Sequence, residues 1–230
     1  RNTTYGGSLT LSMDLYGPTG ALVGSASSTT LAQLDRTLVD TGAYTVVLRD
    51  SANVNLGSYG LTWEKLSGPC EATALSCGQV VVGSIGVGGE ADAFTFGVSD
   101  NEVVTIRASR TSGNYLVPRL ELYDPAGALV VSAQYVITRT LGAAGTYTVL
   151  VRDEGANTGG YAVTWQRLAN PCATGISCGQ TVSGTIGQAV ATPPWGFYSF
   201  NASAGDVVTL RARNTTYGGS LTLSMDLYGP

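Results

Sequence analysis

Four cysteines in two close pairs, Cys70/Cys77 and Cys172/Cys178, have the clearest capacity for chemistry in this sequence of 230 residues. Thiols at such spacing either tie local disulfides or contribute thiolates to a metal site. A site built from all four would need both pairs to meet, although they open consecutive sequence units about a hundred residues apart. Free thiols are the third possibility. The spacing favours two local bridges, Cys70–Cys77 and Cys172–Cys178, one inside each "PC…SCGQ" stretch. Closing a loop of about eight residues stabilises by ~2–3 kcal/mol in the chain-entropy picture. Even cysteine pairs beside a single lysine, Lys65, point to an oxidising extracellular setting.

Catalytic constellations lack members. There is no histidine, which removes the commonest general base, the usual nucleophile pairs and the commonest zinc ligand. Lys65 has no partner motif that would make it the activator of a serine. Asp153/Glu154 and Glu90/Asp92 are the residue types that glycoside hydrolysis uses, but they fall at turns and recur nowhere as pairs. No catalytic residue is assigned and the chain reads as a non-enzyme with no cofactor. Glu90, Asp92, Asp100 and Glu102 are the carboxylates that could serve calcium, and no other metal is expected. Sequons at Asn2, Asn201 and Asn214 could carry glycans on exposed turns. Trp63, Trp165, Tyr147 and Tyr44 alternate with polar neighbours and are expected in a core. Trp195, after two prolines in "ATPPWGF", is the candidate contact residue for a ligand or a neighbouring domain.

Composition excludes further classes. Hydrophobic residues make up 43 % and charged residues 12 %, with 31 glycines and a net charge of −4. A nucleic-acid binder needs a basic stripe, which is missing. No apolar run approaches the ~20 residues of a membrane-spanning helix, so neither nucleic acid nor membrane insertion is expected. Abundant Gly, Ser and Thr suit short strands joined by tight turns.

The elements that would position these residues recur. "LYGPTGALV" at Leu15–Val23 returns as "LYDPAGALV" at Leu122–Val130, and "TGAYTVVLRD" at Thr41–Asp50 as "AGTYTVLVRD" at Ala144–Asp153. "YGLTW" at Tyr59–Trp63 returns as "YAVTW" at Tyr161–Trp165, and "NEVVTIRA" at Asn101–Ala108 as "GDVVTLRA" at Gly205–Ala212. The unit is therefore about 105 residues, and two diverged types alternate. A complete type-B unit occupies 68–168, residues 1–67 are the C-terminal part of a type-A unit, and 169–230 are the N-terminal part of the next. "RNTTYGGSLTLSMDLYGP" stands at Arg1–Pro18 and again at Arg213–Pro230, an offset of 212 residues.

Within unit B the apolar pattern has period two. Strands are expected at Gln79–Ile85, Ala93–Val98, Glu102–Arg110, Arg119–Tyr123, Leu129–Ala133, Ile137–Leu141, Thr146–Arg152 and Tyr161–Arg167. Asp124–Gly127 suits a type I turn, with an acceptor first, proline second and glycine fourth. The fold class is all-β: tandem jelly-roll-like sandwiches.

The "CGQTVSGTI" opening, "FYSFNASAGDVVTLR" at Phe197–Arg211, "LYDPAG", "GTYTVLVRD" and "YAVTW" resemble the bacterial pre-peptidase C-terminal domain. That family consists of small β-sandwiches appended to secreted peptidases or repeated in bacterial surface proteins. The resemblance implies an extracellular, accessory role. In some relatives it implies binding of calcium or an extracellular polymer through acidic residues near the domain start. The corresponding stretch here reads "CEATALSCGQVVVGSIGVGGEAD" in unit B and has no acid in unit A.

The 212-residue recurrence adds an expectation about assembly. Identical A segments with fixed A–B junctions would generate a regular fibre, either as a covalent array or through self-association of neighbouring copies. The covalent array is favoured, because residues 213–230 would compete with 1–18 for the same strand slots in a self-complementing subunit. The expected function is a structural array forming an extracellular or cell-surface filament, stalk or sheath. The alternative is an accessory array that binds polysaccharide or protein for a secreted enzyme.

Overall fold

The computed structural model describes residues 9–187, 194–216 and 221–229. Among these residues there are fourteen strands and no helix. They are β1 (Leu11–Tyr16), β2 (Leu22–Ser28), β3 (Thr45–Asp50), β4 (Thr73–Ala74), β5 (Val80–Ile85), β6 (Ala91–Val98) and β7 (Glu102–Arg110). Then follow β8 (Pro118–Tyr123), β9 (Leu129–Gln134), β10 (Val136–Leu141), β11 (Gly145–Asp153), β12 (Gly159–Arg167), β13 (Thr174–Gly175) and β14 (Tyr198–Ser199). Each of the eight strands expected between residues 79 and 167 is present within two residues of its expected bounds.

Strands β4 to β12 form two facing sheets, ordered β10-β7-β12-β5 and β4-β6-β11-β8-β9. The antiparallel pairs are nested: β8 with β9, β7 with β10, β6 with β11 and β5 with β12. One long hairpin is in effect rolled up, and the β12–β7 and β11–β8 pairings close the roll. This is jelly-roll wiring.

The tip of the roll is the Asp124–Gly127 turn. Gly127 N–H donates to the Asp124 carbonyl at 2.9 Å, while Asp124 Oδ1 accepts from Ala126 and Ala128 N–H. Gly127 takes φ +85°, a left-handed conformation that glycine reaches without steric cost. It accompanies the register shift between Leu122 and Tyr123.

The core follows from alternation. Tyr147, Val149 and Val151 point inward from β11, opposite Tyr161, Val163 and Trp165 from β12. Phe96 packs between them, its ring centroid 4.6 Å from that of Trp165 and 6.1 Å from that of Tyr147. The Trp165 indole N–H donates to the Leu75 carbonyl at 3.0 Å, so the largest core side chain leaves no orphaned donor. Tyr161 lies over Gly83, and its hydroxyl donates to the Asp92 carboxylate.

The flanking segments build parts of the same plan. Sheet order β2-β1-β3 reproduces β9-β8-β11, and the parallel pair β13/β14 reproduces β4/β6. The Gly17–Gly20 turn repeats the tip geometry, with Gly20 at φ +80° and its N–H on the Gly17 carbonyl at 2.9 Å. Residues 59–63 and 205–212, counterparts of β12 and β7 in sequence, do not form strands. Trp63 is consequently 71 % exposed, whereas its counterpart Trp165 is 2 % exposed. This corrects the expectation that Trp63 is a core residue: without a paired strand beneath it, the alternating pattern has nothing to face. Tyr44 is only half-buried, its hydroxyl held by the Asp40 backbone.

A β-carbon at Gly83 would stand 2.5 Å from Tyr161 Cζ, and the buried tyrosine has no room to withdraw. Gly83→Ala is expected to destabilise by ~1–3 kcal/mol through overpacking. Urea denaturation monitored by tryptophan fluorescence measures this, and an unchanged midpoint would refute the tight approach.

Candidate functional site

Two of the residues singled out by their chemistry meet where the jelly roll opens and closes. Cys77 precedes β5, Cys172 follows β12, and the two form a disulfide with Cα atoms 5.7 Å apart. Cys70 and Cys178 are free and exposed. The expected local bridges, Cys70–Cys77 and Cys172–Cys178, are thus corrected to a bond across 95 residues of sequence. Strand pairing supplies the reason: β5 and β12 are neighbours, so the residues before one and after the other are brought together. A loop of that length is worth ~4–5 kcal/mol in the chain-entropy picture, against ~2–3 for a local one.

Hydrogen bonds preorganise the junction. Ser76–Gln79 is a turn in which Gln79 N–H donates to the Ser76 carbonyl at 3.0 Å, and the Gln79 side chain accepts from Ser76 N–H at 3.1 Å. Gly78 N–H donates to the Trp165 carbonyl at 2.9 Å, tying the turn to the end of β12. Gly78 sits at φ +77°, and a β-carbon there would come 2.6 Å from the Cys172 carbonyl oxygen. Gln166, almost fully buried, grips Cys172 at two points. Its Oε1 accepts from Cys172 N–H at 2.8 Å and its Nε2 donates to the Cys172 carbonyl at 3.1 Å.

A second clasp escaped the sequence reading. Asp153 Oδ1 accepts from Val117 N–H at 2.7 Å, and Oδ2 accepts from the Asn157 backbone and side-chain amides. Asp50 does the same work in the flanking sheet, accepting from Thr10 N–H, Val54 N–H and both amides of Asn55. The signal was present as "RDSANVN" and "RDEGAN", an aspartate followed a turn later by asparagine. The bond from Asn55 leads in pulling the Asp50 carboxyl down to about 2.

The candidate calcium carboxylates are spent on protein groups. Glu90 Oε2 accepts from Gly86 N–H at 2.6 Å and Val87 N–H at 3.0 Å, and Asp92 accepts from the Tyr161 hydroxyl. Asp100 Oδ1 takes Ala144 N–H at 2.5 Å; Glu102 takes Ser99 N–H at 2.8 Å and pairs with Arg167 at 2.6 Å. Burial leads in raising the Asp92 carboxyl above the usual range, with the Glu90 charge adding to it and the Tyr161 bond opposing. The Tyr161 hydroxyl is pushed above the ordinary phenol range, chiefly by burial. Among the described residues no three carboxylates or thiols gather to hold a metal ion. This donor set does not fit calcium.

The remaining candidates are scattered. Trp195 is half-buried and Asn201 is exposed. Asn214 is half-buried, its amide donating to the Leu221 carbonyl and its oxygen accepting from Thr216 N–H. Asn2 lies outside the described residues. An open depression of about 380 Å³ is lined by Gly113, Asn114, Tyr115, Ala156, Asn157 and Thr158, none of which is ionisable at neutral pH.

No family model matches the chain, and neither does any curated protein. Solved structures resemble part of it. The pre-peptidase C-terminal domain of a Bacillus anthracis collagenase is 18 % identical with a TM-score of 0.37, covering 43 % of this chain and 97 % of that one. The periplasmic g-type lysozyme inhibitor PliG of Aeromonas hydrophila is 15 % identical with a TM-score of 0.33, covering 41 % and 97 %. Its Salmonella Typhimurium counterpart is 18 % identical with a TM-score of 0.34, covering 43 % and 99 %.

Replacing Cys77 and Cys172 together by serine is expected to lower stability by ~2–5 kcal/mol. Calorimetry with and without reductant checks this; a wild-type midpoint insensitive to reductant would contradict it. The Asp50 clasp carries a pH signature. Its carboxyl is lower folded than unfolded, so its stabilisation is present above the ordinary value of 3.8 and lost as pH falls toward about 2. Amide exchange at Val54 and Asn55 should accelerate across that window in the wild type and be fast throughout in Asp50→Ala.

Proposed function

We propose that the chain is a structural repeat of an extracellular array, in which a second sandwich is completed between successive copies. The observation that carries this reading is the contrast between equivalent residues in the two unit types. Val46 on β3 is 41 % exposed, while its counterpart Val149 on β11 is fully buried. β11 pairs on both edges, with β8 and β6, whereas among the described residues β3 pairs only with β1. The missing neighbour of β3 is the counterpart of β6, which is β14. β14 lies beside β13 but pairs with no other strand among the described residues.

Two open edges and two apolar faces of one fold therefore sit on the same chain without meeting. The register of β6 against β11 would place Val46 opposite Tyr198 when β14 of one copy adds to β3 of the next. A cleft of about 140 Å³ beside β3, lined by Leu9, Leu11, Leu48, Leu56 and Tyr59 among others, is where core side chains from that neighbour would enter. Strand addition of this type draws specificity from alternate side-chain pockets and affinity from main-chain bonds. It also covers edges that would otherwise invite uncontrolled association. One transformation repeated at every junction gives a fibre or stalk. The role is mechanical, needs no catalytic group, and suits an oxidising compartment that preserves Cys77–Cys172.

A continuous tandem of residues 1–230 followed by 19–230 tests the reading. Hydrogen exchange at residues 45–50 and 59–63 of the second copy should slow at least tenfold relative to the single chain, and Trp63 emission should shift to the blue. Electron microscopy of the native material should show a regular axial repeat. Unprotected amides in the tandem, or only dispersed flexible beads in the micrographs, would overturn the proposal.

A further inference from the structure

The two free cysteines stand in segments that match the two sides of the Cys77–Cys172 clasp. In the closed clasp, Cys77 belongs to the turn Ser76–Gln79 and Cys172 to the loop that leaves β12. The same turn recurs at Ser177–Gln180. Gln180 N–H donates to the Ser177 carbonyl at 3.0 Å, and the Gln180 side chain accepts from Ser177 N–H at 2.9 Å. Gly179 repeats the φ of +77° found at Gly78. The difference is occupancy. A β-carbon at Gly78 would strike the Cys172 carbonyl, whereas nothing among the described residues lies within 4 Å of the same position at Gly179. Cys178 stands exposed at the rim of that vacant cradle.

The opposite half is equally preformed. Glu64 Oε1 accepts from Cys70 N–H at 2.7 Å, as Gln166 Oε1 accepts from Cys172 N–H at 2.8 Å. Gly68 and Asn170, at the same place in the two loops, both take positive φ. Trp63, the counterpart of the Trp165 whose carbonyl and indole bind the closed clasp, is exposed with its neighbouring Cys70. Neither half completes itself, and in the closed clasp the cysteine of the turn precedes the cysteine of the loop in sequence. Cys178 comes after Cys70, so the loop that fits its cradle belongs to a following copy of this sequence.

We propose that Cys178 of one copy forms a disulfide with Cys70 of the next, sealing the sandwich that the two copies share. The proposal deepens the array reading and rests on it for the identity of the partner. Chemically, the two thiols lose two protons and two electrons to a disulfide oxidant such as oxidised glutathione. That oxidant leaves as two thiols after passing through a mixed disulfide. In the sealed junction Gly179 N–H takes the Trp63 carbonyl of the next copy, and the Trp63 indole reaches the Ile176 carbonyl, as Gly78, Trp165 and Leu75 do within one copy.

The test uses the full 230-residue chain, mixed one to one as light and ¹⁵N-labelled protein and oxidised in a glutathione buffer. Non-reducing electrophoresis should show a ladder of covalent multimers that collapses to one band with reductant. Mass spectrometry should find Cys70 joined to Cys178, with about half of the linked peptides carrying one light and one heavy strand. Cys70→Ser and Cys178→Ser should each abolish the ladder, and mixing these two variants should give a dimer and nothing larger. Cys70–Cys178 peptides of uniform isotope, or local Cys70–Cys77 and Cys172–Cys178 links, would overturn the proposal. So would full alkylation of both thiols in assembled material. A regular fibre by electron microscopy with both thiols alkylated sinks the bond and leaves the array; wild-type chains that stay monomeric with free thiols sink the bond between separate copies, and unprotected amides in the continuous tandem sink the array.

Discussion

The pairing of β5 with β12 is the constraint on which the rest of the sandwich depends. It is the outermost of four nested pairs, joining segments separated by most of the unit. It therefore carries the largest loop-closure cost and has the least local structure to support it. The clasp is concentrated at this point. Cys77–Cys172, the Gly78–Trp165 backbone bond and the two-point grip of Gln166 all act just past Thr164 and Val80, the last paired residues of the two strands. At the other extreme, the innermost pair β8/β9 needs only the Asp124–Gly127 turn, whose bonds are all local. Covalent and polar reinforcement thus increases with the sequence separation it must span.

Burial in this chain is a property of pairing before it is a property of residue type. Trp63 and Trp165 sit in nearly identical sequence, as do Val46 and Val149, yet one of each pair faces solvent. The apolar face of a strand has low free energy only when another layer covers it. Half a jelly roll therefore carries the pattern of a core without having one. The Asp50 clasp behaves differently. It forms in the flanking sheet as Asp153 forms in the complete unit, because its partners lie on the same turn and the adjacent strand. Local devices form without a facing layer; layer-to-layer packing does not.

That distinction also separates what was legible in the sequence from what was not. The eight strands of the complete unit and its tip turn were readable because alternation and turn chemistry are decided within a few residues. The disulfide partner was not. Six residues lie between Cys70 and Cys77, which looks like a local bridge, and only the nested topology reveals that Cys77 lies beside Cys172. Glu90, Asp92, Asp100 and Glu102 looked available for a cation because sequence does not show which backbone amides a carboxylate will meet. The Asp–Asn clasps lay in plain view, repeated in both halves, but an aspartate at a strand end does not show which amides it will meet.

The clasp also redraws the boundary between units. In sequence, "PCATGISCGQ" reads as one motif opening one domain. Physically its first cysteine closes the β4–β12 sandwich, and its second stands in the Ser177–Gln180 turn, which repeats the geometry of Ser76–Gln79. Only Ala173–Ser177 lie between Cys172 and Cys178, and this segment already contains β13. A junction this short, anchored on one side by a buried glutamine and a disulfide, leaves little torsional freedom. Under the array reading, stiffness arises at each junction because one short segment ends one fold and begins the next.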